Sequence, residues 1–285
     1  MLSEFMEKST REILRVTKCG WKDATPDSNG VRAFLPVSEN LISFPSKKYE
    51  EDPTSQESDG IWAEIRAKKV AEILERNGVS LIWEVGAGHG NMAIPLSKSG
   101  VVTIPIEPLY SGALSLARNG FHVYAQTLDQ LKLPDNCLEA IGLFDVIEHL
   151  SNPQDILQEV HRVLKPGGLL LISVPAYQWL FSNFDLQIGH FRRYSRKSLQ
   201  KLLSESHFQQ TLLSNLFFSF LFPAFILRRI PYLLRLPTKN DESVPTSESL
   251  FMKMIAPLLR GILTVEMKMN IPFGLSILSE SKKAN

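Results

Sequence analysis

The chain has 285 residues, of which 44% are hydrophobic and 21% charged, with a formal net charge of +1. That is ordinary globular composition, long enough for a sizeable buried core, without the basic excess that would point to nucleic acid as a partner. Two cysteines, Cys19 and Cys137, exclude a disulfide framework and a four-cysteine zinc site. Charges break up the apolar positions of the N-terminal stretch "MLSEFMEKSTREIL", which argues against a signal peptide and for a cytoplasmic setting.

Residues 1–58 are rich in turn formers and charge and read as an irregular N-terminal arm. Ile61, Ile65, Val70, Ile73 and Leu74 then recur at helical spacing until Gly78. Strands and helices alternate beyond that point. "SLIWEV", "VVTIPIEP", "HVYAQ", "EAIGLFDV" and "LLLISVP" read as strands. "GNMAIPLSKSG", "SGALSLARNG" and "NPQDILQEVHRVLKPGG" read as the helices between them. Apolar strands alternating with helices predict a parallel sheet covered on both faces.

A loop follows, "YQWLFSNFDLQIGHFRRY", then a helix capped by Ser195 and a sixth strand, "FQQTLLSNL". Next come an apolar stretch from Leu212 to Leu227, a break at "PTKNDESVPTSES", an amphipathic helix and a final strand within "PFGLSILSE". The predicted division is 59–214 for the core, 215–270 for an apolar helical insertion and 271–285 for the last strand and tail, with 1–58 as the arm. Sixteen residues are few for a spanning helix. The stretch 212–236, with Arg228, Arg229 and Arg235, reads either as a helix pair capping a pocket or as a peripheral membrane contact.

The chemistry begins at "EVGAGHGN". Gly86, Gly88 and Gly90 have the spacing G-x-G-x-G, whereas a dinucleotide fold requires G-x-G-x-x-G and hence glycine where Asn91 stands. The loop suits a ligand lacking pyrophosphate. Glu84, at the strand end, can hold an ammonium group. Glu107 closes the second strand 21 residues beyond Gly86, where an acid can accept hydrogen bonds from ribose hydroxyls. An amino acid and a ribose without phosphate describe S-adenosylmethionine.

With these pieces the sequence resembles the class I S-adenosylmethionine-dependent methyltransferases. "EVGAGHGN", "IEP", "LKLPDNCLEAIGLFDVIEHL" and "VLKPGGLLLISVP" occur in that family's order and spacing over residues 80–176. The resemblance implies a doubly wound, mostly parallel, seven-stranded Rossmann-like sheet carrying the N-terminal arm and the late helical insertion. It implies that Gly86, Gly88, Gly90 and the nearby backbone line the methionine part and that Glu107 binds the ribose. Thr127 and Leu128 fall where the adenine is met, and Phe144 and Asp145 lie beside the sulfonium.

His149 and His190 are candidate bases toward the acceptor, and each also has a bland reading as a loop-ordering residue. Arg192 and Arg193 read equally as an anion clamp or as loop ties, and Trp62 and Arg66 either close over the cofactor or pack on the sheet edge. Asp145, Glu148 and His149 match a metal trio attributed to ubiquinone-biosynthesis O-methyltransferases. The same pattern is widespread in metal-free relatives, so no metal is expected.

The implied acceptor is a small molecule, a sugar or a lipid-linked intermediate. An NAD(P)-dependent oxidoreductase and a non-catalytic S-adenosylmethionine-binding module are the competing readings.

Overall fold

The computed structural model describes residues 60–234, 250–269 and 271–284. The predicted arm at 1–58, the break at 237–249 and Arg235 lie outside the described residues.

Helix α1 (Ile61–Arg76) turns its predicted apolar stripe inward, and Gly78, with φ +67°, ends it. The next strands are β1 (Leu81–Val85), β2 (Val102–Ile106), β3 (Leu138–Phe144) and β4 (Leu164–Pro175). Between them run α2 (Ala93–Lys98), α3 (Tyr110–Arg118) and α4 (Pro153–Val163). Helices α5 (Asn183–Gln187) and α6 (Arg196–Glu205) lead to β5 (Phe208–Leu216), and β6 (Ser276–Lys283) closes the sheet. The strand order is β2-β1-β3-β4-β6-β5. Strands β1 to β4 are parallel, and β6 runs antiparallel to both β4 and β5.

Successive residues of β1 enter opposite cores. Ile82 joins Ile65, Val70, Ile73 and Leu74 of α1, while Trp83 joins Leu157 and Val160 of α4 and Leu199 of α6. Burial on both faces is why these strands read as unbroken apolar runs.

Seven strands were expected, and the third of them, "HVYAQ", is a correction: among the described residues the sheet has six strands. Tyr124 makes a single parallel bridge to Ile106. Its N–H donates to Pro105 O, and its O accepts from Glu107 N. Extending that ladder backwards would need an N–H on Pro105, which proline lacks. Extending it forwards would need the N–H of Leu109, which donates instead to the Glu107 carboxylate.

The late apolar segment forms α7 (Leu221–Ala224), a π-helical stretch (Phe225–Arg229) and α8 (Ile230–Leu233), and α9 (Leu250–Lys268) follows. Leu263 of α9 is buried, and Arg260 grips Glu64 of α1 with two hydrogen bonds. Trp62 packs edge-on against Phe217 and Phe220. The buried helix pair expected for this region is not observed: Phe222 is 70% and Leu227 72% exposed. No helix among the described residues is long and apolar enough to cross a membrane.

Candidate functional site

The carboxyl ends of β1, β3 and β4 open onto a cleft of about 310 Å³. Ligands bind at this edge of open α/β sheets because the loops there diverge to opposite faces. The glycine loop forms one wall. Gly86 has φ +72°, and a Cβ on it would lie 2.9 Å from Val146 Cγ2, so neither the backbone nor the space admits a side chain.

Glu84, Gly86, Gly88, Phe144, Asp145, His149 and His190 line this cleft. Gly90, Glu107, Thr127 and Leu128 do not line it. Glu107 lies behind the loop, its carboxylate accepting the backbone N–H groups of Gly88 (2.6 Å) and Leu109 (2.8 Å). Leu128 has its side chain in the core, so it can offer a ligand only its backbone, and the Thr127 N–H donates to Gln130.

Two buried acids dominate the electrostatics of the loop. Burial pushes Glu84 up to about 8 against the attraction of Arg66, with Glu107 and Asp145 adding to the rise. One of its oxygens, Oε2, has no hydrogen-bond partner. Burial raises Glu107 to about 7, offset in part by the Leu109 and Gly88 amides. A glycine loop backed by two buried carboxyls suits a ligand that brings hydrogen-bond donors and an ammonium, which favour their ionised forms.

Arg66 of α1 reaches across the cleft to pair with Asp145 and also donates to Ser173 Oγ at 3.0 Å. Of the two readings offered by the sequence, Arg66 borders the ligand space and Trp62 packs outside it.

At the far end His149 closes a short 3-10 turn (Ile147–His149), and the helix that follows begins at Pro153. Burial and the neighbouring His190 lower its pKa to about 4. His190 is held by Asp185, whose Oδ1 lies 2.9 Å from Nδ1. The same oxygen accepts from Arg193 Nε at 2.7 Å, and Ser182 N donates to the other, Oδ2. Burial alone would raise Asp185, but the bonds from His190 and Arg193 prevail and hold it near 2.

Arg193 also donates to Ala176 O, and Arg192 to Leu150 O and Ser151 O, so both arginines tie the loop down. The sequence reading passed over Asp185. Its signal was present as a capping box, Ser182 with an acid three residues on.

A family model described as a methyltransferase domain matches residues 62–213. The chain belongs to this family, the class I S-adenosylmethionine-dependent methyltransferases. An uncharacterised methyltransferase of Mycobacterium bovis is 28% identical over 131 residues, which is 44% of this chain and 51% of that one. The chain thus spans about half the length of the curated relatives it matches.

Solved methyltransferase structures share the fold. A phosphoethanolamine N-methyltransferase of Haemonchus contortus, in complex with phosphomonomethylethanolamine and S-adenosylhomocysteine, aligns with a TM-score of 0.51 and 16% identity, over 86% of this chain and 61% of its own. A chain from the Haloferax volcanii complex with the Trm112 methyltransferase activator aligns at 0.53 and 16%, over 84% and 96%.

Proposed function

We propose that the chain binds S-adenosylmethionine and transfers its methyl group to an acceptor held at the His149–His190 end of the cleft. The observation carrying this reading is the buried Glu84 carboxyl, with an unpartnered oxygen beside the glycine loop. An ammonium is the group it fits. In this reading Gly86, Gly88 and Gly90 shape the loop around the methionine part, and Glu107 accepts from the ribose with lone pairs its amide donors leave free. Thr127 and Leu128 meet the adenine through their backbone, and Phe144 and Asp145 border the sulfonium. The G-x-G-x-G spacing, with Asn91 where a dinucleotide loop needs glycine, disfavours a dinucleotide.

The sulfonium is a good leaving group, so the protein's contribution is alignment and exclusion of water. The acceptor's oxygen or nitrogen attacks the methyl carbon, the carbon–sulfur bond breaks, and its electron pair stays on sulfur in S-adenosylhomocysteine. A hydroxyl or amine acceptor must also release a proton, and the His149–His190 cluster is where it is released.

The test uses donor labelled in its methyl group with host metabolites and lipid extracts. Label should appear in one acceptor, and His190→Ala should lose transfer while retaining S-adenosylmethionine binding. Tight NADH binding without S-adenosylmethionine binding would overturn the reading.

The acceptor class we propose is amphiphilic or lipid-linked, met by a cytoplasmic protein at a membrane surface. Support comes from the exposed apolar residues of the stretch 218–234, Phe222 and Leu227 among them, on the segment whose Arg228 borders the cleft.

A further inference from the structure

Glu148 is fully buried, and neither of its carboxylate oxygens has a hydrogen-bond partner, although its own backbone N–H lies nearby. A carboxyl left so is costly unless a cation or a donor meets it. His149 and His190 flank it from two different loops. One ligand atom from each of Glu148, His149 and His190 lies within 4.8 Å of the others. The two imidazole rings meet edge-on, 4.5 Å between centroids, and Glu148 Oε1 is 3.9 Å from His190 Nε2.

We propose that Glu148, His149 and His190 form a binding site for one divalent transition-metal cation of the zinc or manganese class, at the acceptor end of the cleft. Two imidazoles with one carboxylate favour such ions over magnesium or calcium, which prefer all-oxygen shells. The supporting contacts match what a metal-binding histidine needs. Asp185 holds His190 through Nδ1, which leaves Nε2 toward Glu148, and Arg193 and Ser182 fix Asp185 in turn. His149 meets the backbone of Gly189. A carboxylate or carbonyl behind each ligating imidazole sets its tautomer and orientation.

Arg193 offsets the charge of Asp185, so Glu148 supplies the negative charge of the cage. Ligands sharing a cation at about 2.0–2.2 Å sit no more than about 4.4 Å apart, so small side-chain rotations close the set.

Asp145 stands outside this site. The sequence pattern groups it with Glu148 and His149, but its carboxylate is engaged by Arg66 and lies 3.4 Å from Ser173 Oγ. His190 takes its place, contributed by a loop more than forty residues further on.

Three protein ligands leave an open position, where an acceptor hydroxyl would bind and become more acidic. The hydroxyl proton leaves to solvent, its oxygen forms a bond to the methyl carbon, and the sulfur departs with its electron pair. The cation is neither oxidised nor reduced. This last step rests on the methyl-transfer reading; the cation site itself does not. In it the imidazoles act as ligands rather than as bases.

The experiment uses the full chain, stripped with chelator and titrated with zinc(II) or manganese(II) by calorimetry, with metal content measured after dialysis. One equivalent should bind. Glu148→Gln and His190→Ala should each weaken binding at least about 100-fold. Asp185→Asn should do so about 10- to 100-fold, and Asp145→Asn, which removes a neighbouring charge but no ligand, should weaken it less than either ligand substitution. Histidine side-chain resonances of the unmutated protein give a readout independent of any variant's folding, and zinc should shift two of the six.

Absence of stoichiometric binding at low-micromolar ion overturns the site. So does binding that survives Glu148→Gln and His190→Ala, or shifts confined to other histidines. A protein that takes the cation but not S-adenosylmethionine would leave this site standing and remove the methyl-transfer reading. The opposite result would do the reverse.

Discussion

The carboxylate of Glu107 is bonded to the backbone N–H of Gly88 at 2.6 Å, so the end of β2 fixes the position of the glycine loop that follows β1. Its other oxygen takes the N–H of Leu109 at the entry to α3. One acid thus joins three elements before any ligand arrives.

Glu107→Gln should therefore damage both loop and ligand site. Glutamine offers one carbonyl oxygen and one NH₂ group, and the NH₂ would face an amide donor. Leaving one buried donor unsatisfied costs about 1–3 kcal/mol. A thermal melt should fall accordingly, and calorimetry should show S-adenosylmethionine affinity reduced by at least about 100-fold, or roughly 3 kcal/mol. An affinity within twofold of the unmutated protein would remove Glu107 from the site.

The same acids predict a pH dependence. Glu84 and Glu107 have folded pKa values near 8 and 7, raised by burial above the ordinary 4.5. A raised carboxyl stabilises the fold fully below its unfolded value and loses that contribution as pH rises through its folded value. The ligand-free protein should thus lose several kcal/mol of stability between about pH 4.5 and 8. An ammonium on Glu84 and hydroxyls on Glu107 favour the ionised acids. S-adenosylmethionine binding at pH 7 should then release between about one and two protons, seen as a dependence of the binding heat on buffer ionisation enthalpy. Equal heats in phosphate and Tris would contradict both assignments.

Gly112→Ala tests the loop from its other side. A Cβ at Gly112 would stand 2.7 Å from Gly88 O and 2.9 Å from Glu107 Cγ, groups held by each other. Neither can yield without moving the loop. The substitution should cost about 1–3 kcal/mol by overpacking and weaken S-adenosylmethionine binding, although alanine is the better helix former at this position in α3. Unchanged melting and affinity would mean that the loop is softer than its contacts imply.

These residues also mark what was legible in the sequence. The places of Gly86, Gly88, Glu84 and Glu107 at the carboxyl ends of β1 and β2 were readable because they follow from position along a strand–turn–helix unit. The parallel strands β1 to β4 were readable because both faces of that part of the sheet are covered. One strand was over-read: "HVYAQ", the third in chain order, has strand composition, but its pairing depended on Pro105 and on where the Leu109 amide points. Asp185 and the support it gives His190 were hidden because that contact forms only when the loop after β4 folds back on itself. The contact between Asp145 and Arg66 was hidden for a similar reason, since Arg66 lies 79 residues upstream of the acid it engages. Local spacing carries no record of such partners.

The apolar stretch 218–234 gives the last prediction. Phe222 and Leu227 each expose about seven-tenths of their surface, Leu233 and Leu234 more than half, and Arg228 and Arg229 stand among them. Burying a large apolar side chain is worth about 1.5–3 kcal/mol, so a few of them with nearby cations can hold a protein at an anionic interface without a spanning helix. The full chain should float with vesicles containing anionic lipid and less with zwitterionic ones. Replacing Phe222 and Leu227 by serine should cut the bound fraction by at least about tenfold, while S-adenosylmethionine binding stays intact because neither residue borders the cleft. If the unmutated protein stays at the bottom of the gradient with anionic vesicles, the surface faces something other than a membrane, and the lipid-linked acceptor loses its support.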